Sequence, residues 1–248
     1  MDLEILYEDK NFIAVNKPAG LLVHGTGVKR EKGKVKNEKT LVDFLLKKYP
    51  EIKTVGDDPK TRPGVVHRLD KDTSGVILIC RNQDSFEYFK KLFQTHNIKK
   101  TYVALVWGKV DPQKGVIDRP IGLKPGTTRH TVHGGKMVKE AITEYETIGH
   151  YQFPRQSALS PRDSATFSLV KVMPKTGRTH QIRVHMAAIH HSIIGDPLYG
   201  KKGNPFGLER QFLHARYLEF TNSKNKKVKI EAELPQDLKA VLDQLKSA

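Results

Sequence analysis

The chain has 248 residues and carries 43 Lys and Arg against 27 Asp and Glu, a formal charge of +16 at pH 7. That length supports a full hydrophobic core without staples, and the charge exceeds what solubility requires, so a polyanionic partner is expected. The acidic start M-D-L-E-I-L and the lack of any run near the roughly 20 apolar residues of a membrane span put nucleic acid ahead of membrane, while the lone Cys80 excludes internal disulfides and cysteine zinc sites and fits a cytoplasmic setting.

In chain order, Ile5 to Tyr7 and Phe12 to Asn16 flank a turn-like Glu8 to Asn11 and read as a hairpin. Gly25 to Lys39 is rich in Gly and Lys with almost no apolar residue, which reads as a mobile basic loop. Thr40 caps a short helix with the apolar face Leu41, Phe44 and Leu45, closed by Pro50. Pro63 and Gly64 break the chain again, and Val65 to Asp70 is expected to run extended into a turn made by Asp72, Thr73, Ser74 and Gly75. Val76 to Cys80 is a β-branched run that reads as a buried strand.

Phe86, Phe89, Leu92 and Phe93 recur at helical spacing. Tyr102 to Trp107 reads as a strand buried on both faces, and Ala141 to Gly149 and Ala165 to Met173 as an antiparallel pair joined by a loop from Gln152 to Ser164. Thr179 is expected to cap a helix from His180 to about His191, with Ile182, Met186 and Ile189 as its stripe and Gly195 beyond its end. Leu213 to Phe220 and Val228 to Leu234 are further strands, and a closing helix carries Leu238, Val241, Leu242 and Leu245. Strands outnumber helices without regular alternation, so the fold class is α+β with a mixed, mainly antiparallel central sheet and flanking helices.

Two constellations carry chemistry. In G-V-V-H-R-L-D-K-D-T-S-G, from Gly64 to Gly75, alternation in an extended segment puts Arg68 and Asp70 on one face and His67 and Leu69 on the other. Taken alone, that pair reads as a solvated surface pair rather than a catalytic one. In K-T-G-R-T-H-Q-I-R-V-H, from Lys175 to His185, Arg178, His180, Gln181, Arg183 and His185 gather at a helix start, where backbone N–H groups attract phosphate. So many cations there oppose the helix dipole and require an anion, either a buried Asp or a ligand phosphate. His180 and His185 are five apart, not the four of a helical metal pair, and no nucleotide loop follows a strand, so neither metal nor cofactor is expected.

Together these motifs resemble the RluA-type pseudouridine synthases. The resemblance runs from I-L-Y-E-D-K-N-F-I-A-V-N-K-P-A-G at Ile5 to Gly20, through H-R-L-D-K-D-T-S-G at His67 and K-K-T-Y-V-A-L-V-W-G at Lys99, to T-G-R-T-H-Q-I-R-V-H at Thr176 and G-D-P-L-Y-G at Gly195. It implies a single catalytic domain over residues 1–248, built as two closely joined lobes with a basic cleft. It also implies a cofactor-free isomerase that detaches a uridine base within tRNA or rRNA, turns it and rejoins it through C5. Because the first motif starts at Ile5, the N-terminal S4-like module of many relatives is expected to be absent. No obligate protein partner is implied, and a monomer is expected.

By the same resemblance Asp70 is the catalytic aspartate, Arg183 its ionic partner and Tyr102 the ring that stacks on uracil. Arg68 enters the gap left by the extruded base, and His67, Lys17, Arg178 and His180 contact RNA. Attack by Asp70 at C6, attack at C1′ and abstraction of a ribose proton all remain open. A non-catalytic RNA-binding or assembly factor on the same fold is the alternative.

Overall fold

Asp9 makes the first turn of the chain: its carboxylate accepts the backbone N–H of Asn11 at 2.8 Å and of Phe12 at 2.9 Å. This closes the expected hairpin between β1 (Glu4–Glu8) and β2 (Phe12–Lys17). A computed structural model describes residues 2–25, 30–31, 34–35, 38–153, 165–200 and 204–248. They form two compact units, one of Met1–Lys99 with Tyr217–Glu233, the other of Lys100–Arg216 with Leu234–Ala248.

In the first unit, β3 (Arg30–Glu31) and β4 (Lys34–Val35) form a small antiparallel ladder within the segment expected to be a loop. The rest of that expectation, over residues 26–29, 32–33 and 36–37, lies outside the described residues. Helix α1 (Leu41–Lys48) starts as its sequence predicts: Thr40 and Asp43 form a reciprocal capping box. β5 (Ser74–Cys80) is buried along its whole length and pairs with β2. It begins two residues before the apolar run because Gly75 pairs with Lys17, so Ser74 and Gly75 belong to the ladder and not to the turn. Helix α2 (Gln83–Gln94), capped by Asn82, packs Phe86 and Phe89 into a core with Phe12, Ala14, Leu78 and Phe220.

The second unit is built on β6 (Lys99–Trp107), β7 (Lys114–Asp118), β8 (Ile121–Leu123), β9 (His130–Thr131), β10 (Lys136–Lys139), β11 (Ile142–Gln152), β12 (Thr166–Pro174) and α3 (Gln181–Ala188). β6, β12, β11 and β7 pair antiparallel in that order, and β9, β8 and β10 form a separate small sheet. The loop expected between β11 and β12 falls at 154–164, outside the described residues. β13 (Leu213–Thr221) pairs with β14 (Lys227–Glu231) through its Tyr217–Thr221 half, and α4 (Gln236–Leu242) and β15 (Lys246–Ser247) end the chain. Leu238 and Val241 of α4 join Leu105, Val170, Ile182, Met186 and Phe212 in the core of the second unit. Among the described residues the strands pair antiparallel within both units and four α-helices flank them, as the α+β reading expects. Among the described residues no helix is long and apolar enough to cross a membrane.

Three local expectations are corrected. Thr179 does not cap α3: the N-cap is His180, in the left-handed region at φ 55, with no side-chain capping bond. The helix also stops at Ala188 and does not reach His191, as His190 takes φ 67 just beyond it. Val65 to Asp70 forms no strand; only Val65 bridges the sheet, opposite Ile79.

Candidate active site

The segment carrying Asp70 is held by backbone geometry that few residues allow. Gly64 sits at φ +70, and a Cβ there would lie 2.6 Å from the Cys80 carbonyl oxygen, so only glycine lets the chain pass this close to β5. Its own N–H donates to Val55 O at 2.8 Å, and its carbonyl accepts from Cys80 N at 2.9 Å. Beyond it, Val65 and Leu69 are buried, which plugs the segment into the unit. The His67 ring stacks on Phe93 at 4.6 Å, and its Nε2 accepts the backbone N–H of Leu78 at 2.9 Å.

With those anchors in place Arg68 is exposed and Asp70 half-buried. The Asp70 carbonyl accepts Thr73 N at 3.2 Å, which tightens the turn leading into β5. The next carbonyl, of Lys71, accepts from the Lys17 ammonium at 2.8 Å. Lys17 is fully buried and also donates to the carbonyls of Pro18 and Leu21, each at 2.8 Å. This corrects the expectation of an RNA contact, because an ammonium sealed under three carbonyls presents no donor to a phosphate. It serves instead to fix the turn on which Asp70 stands. His67 is likewise engaged by β5 and Phe93, with its Nε2 already occupied.

The other expected residues lie in the second unit. Tyr102 lies on β6 opposite Val172, half-buried, with its ring packed against the apolar core. Arg183 is only 4% exposed and donates to Asp196 through two nitrogens, Nε to Oδ2 at 2.7 Å and Nη2 to Oδ1 at 2.9 Å. Asp196 Oδ1 also accepts the N–H groups of Leu198 and Tyr199 at 2.9 and 3.0 Å. Burial by itself would raise the Asp196 pKa, but the Arg183 guanidinium and these two N–H groups outweigh it and hold the carboxyl below its usual range. The Tyr199 ring lies 5.3 Å from the same guanidinium, and its hydroxyl is 3.0 Å from His180 Nδ1.

Asp196 is therefore the buried acid required by the cationic helix start, and its role had no signal beyond its place in G-D-P-L-Y-G. Gln181, named among the residues at the helix start, takes a structural role. It is buried, its Oε1 accepts from Thr176 Oγ1 and Arg178 N, and its Nε2 donates to Ile142 O and Thr143 Oγ1. This organises the start of α3 in place of a Thr179 cap. His185, completely buried, spans Thr143 Oγ1 and Arg119 O, each at 2.9 Å, and burial pushes its pKa down. It stays a neutral structural residue at physiological pH. Arg178 donates to Glu140 O at 2.8 Å and, like His180, is half-buried at the head of the helix.

Lys100, two residues before Tyr102 on the same strand face, donates to Thr176 O at 3.0 Å. Burial and then the Arg178 charge lower its pKa to about 8. Among the described residues no group of three His, Cys, Asp or Glu is arranged to hold a metal.

Comparison with known proteins decides the family. The RNA pseudouridylate synthase family model matches residues 11–188. The chain belongs to this family, in its RluA-type branch. It is 38% identical over 93% of its length to an uncharacterized RNA pseudouridine synthase of Chloroflexus aurantiacus, of which it spans 65%. It is 35% identical over 98% of its length to the ribosomal large subunit pseudouridine synthase D of Zymomonas mobilis, of which it spans 73%. A tRNA pseudouridine synthase C of Haemophilus ducreyi is 33% identical over 98% of this chain and 96% of its own. In fold, the chain matches the solved human RNA pseudouridylate synthase domain containing 1 with a TM-score of 0.74, over all of this chain and 89% of the other, at 24% identity. The family consists of isomerases that rebuild uridine as pseudouridine inside RNA.

Proposed function

We propose that this chain converts specific uridines of tRNA or structured rRNA into pseudouridine, with Asp70 as the catalytic carboxylate and with neither cofactor nor metal. The observation that supports this reading most directly is the Asp70 turn. A carboxylate in the H-R-L-D-K-D-T-S-G motif is half-buried, while Leu69 and Thr73 are buried, the carbonyl of Asp70 accepts Thr73 N and the next carbonyl accepts the Lys17 ammonium. A catalytic group needs such a rigid base.

The reaction is an isomerisation and balances without a co-reactant: the bond from C1′ to N1 breaks, one from C1′ to C5 forms, and the C5 proton is replaced by one on N1. In this reading the carboxylate acts on the target nucleotide, and the Tyr102 ring stacks on the freed uracil while its hydroxyl mediates proton transfer; Arg183, whose guanidinium is committed to Asp196, braces the start of α3. Arg68, exposed and planar, fills the stack vacated by the extruded base and offsets part of the few kcal/mol that unstacking costs. Arg178 and His180 take backbone phosphate. The protein is read as acting alone, as a monomer in the cytoplasm.

The test is pseudouridine formation by the purified protein on tRNA and rRNA transcripts, read as carbodiimide-dependent reverse-transcription stops. Wild-type protein is expected to produce stops with EDTA present, and Asp70→Asn none. Turnover by Asp70→Asn would overturn the assignment of the catalytic residue. Loss of wild-type activity in EDTA would overturn the metal-free reading.

A further inference from the structure

A cleft of about 1080 Å³ opens on the first unit between the N-terminal part of α1, the turn after it and the loop ending at Pro63. Its rim carries Lys39, Lys47, Lys53 and Lys60, all exposed, and Phe44 lies half-buried among its walls. Two acids also line it, but both are engaged. Asp43 accepts the backbone N–H and hydroxyl of Thr40 at 2.8 and 2.9 Å in the capping box, and Glu38 is paired with Lys71 at 2.9 Å. None of the four lysines has an ion pair among the described residues. By contrast Lys48 lies 3.9 Å from Glu8 and Lys90 is 2.7 Å from Asp57.

We propose that this cleft is a second RNA-binding site, which takes the backbone of a substrate strand flanking the modified nucleotide. A groove with four uncompensated cations and an aromatic wall has the composition that single strands require: charge to track phosphates and a ring for a base. The cleft is connected to the Asp70 segment through Glu38, whose partner Lys71 directly follows Asp70, and through Pro63, which directly precedes Gly64. A strand lying in it would leave the groove beside the turn that presents the catalytic carboxylate. The inference rests on the proposed activity for its purpose, but the groove itself can be tested by binding alone.

The experiment measures the affinity of the full chain for a labelled single-stranded RNA and for a tRNA transcript across a salt series. One variant changes Lys39, Lys47, Lys53 and Lys60 to Gln. A charge-matched control changes Lys10, Lys224, Lys226 and Lys227, exposed lysines of the β1–β2 turn and the β13–β14 hairpin, to Gln. The groove variant is expected to bind at least about tenfold more weakly at roughly 0.1 M salt, and its log–log salt slope to fall by about three, since each phosphate no longer neutralised removes about 0.7. The control is expected to lose less than half of that slope, and an all-Arg version of the groove to keep the wild-type slope. Equal losses in groove variant and control, or a groove slope unchanged from wild type, would overturn the site. A wild-type protein that binds RNA with these properties yet forms no pseudouridine would sink the catalytic reading and leave the groove standing.

Discussion

Arg183 and Asp196 form a bidentate ion pair with both side chains almost wholly buried, the first on α3 and the second in the turn after it. Either charge alone would be costly there, so removing one should do more damage than losing a surface pair. Asp196→Asn is expected to destabilise the protein by about 3–5 kcal/mol in urea unfolding. The pH dependence has a definite sign. The Asp196 pKa is lowered in the folded state, so its contribution is complete above the ordinary value of 3.8 and is lost as pH falls through the folded value. The stability gap between wild type and variant should hold from neutral pH down to about pH 5, start to narrow near pH 4 and shrink progressively as the pH falls further. A gap that does not narrow in acid would show that the pair is not the source.

Asp70→Asn should behave in the opposite way. Its side chain is half-buried, and its segment is anchored by Gly64, Leu69, His67 and Lys17. Stability is expected to stay within about 1 kcal/mol of wild type while pseudouridine formation disappears. Urea unfolding beside the reverse-transcription assay checks both, and a variant that unfolds as readily as Asp196→Asn would mean that Asp70 is structural.

The contrast between these two aspartates explains what could be read from the chain. Elements with strong local signals, such as the Thr40 cap, the β5 run and the aromatic face of α2, followed from their own residues. Asp70 was visible because its whole neighbourhood is a contiguous motif. Asp196 and Lys17 were in motifs too, but what they do depends on partners distant in sequence, 13 residues away for Arg183 and 54 for Lys71. Nothing in N-K-P-A-G states that the lysine turns inward. Strands β7 and β10 were also missed, because their exposed, Lys-containing sequences show little of the apolar alternation that marks a half-buried strand. At α3, Gln181 ties the start of the helix to Arg178 N, Ile142 and Thr143, contacts that no local rule anticipates.

Lys17→Met separates two roles for this lysine, positioning the turn and binding phosphate. As a positioning residue its loss leaves carbonyls of Pro18, Leu21 and Lys71 without their donor, at a cost of about 1–3 kcal/mol. It should lower kcat by loosening the Asp70 turn, while RNA affinity and its salt slope stay within about twofold of wild type. A salt slope reduced by nearly one with kcat intact would restore the phosphate-binding role.

Gly64→Ala tests the close pass over β5. The added methyl group would meet Cys80 O at 2.6 Å and Ile79 Cγ2 at 2.9 Å in a backbone conformation, φ +70, that alanine rarely adopts. Both effects act in the same direction, and a loss of at least about 2 kcal/mol is expected in equilibrium unfolding. A change below about 0.5 kcal/mol would show that the segment has room to move away from β5.

Lys100 gives a prediction in alkaline solution. Its pKa falls from 10.5 to about 8 on folding, through burial first and the Arg178 charge second, while the amine still donates to Thr176 O. Below pH 8 the lysine is charged in both folded and unfolded chains, and the folded protein bears the full cost of a partly desolvated cation. Between pH 8 and 10.5 the folded state gives up the proton first, the unfolded state binds more protons, and stability from this group rises with pH. Wild type should therefore gain on Lys100→Met across that interval, by about 1–2 kcal/mol after allowance for residual solvent access. Arg178→Gln should reduce the gain, because it removes the second cause of the shift. Parallel unfolding curves for wild type and Lys100→Met between pH 7 and 10.5 would refute the argument, since a lysine with an ordinary pKa contributes no slope below pH 9.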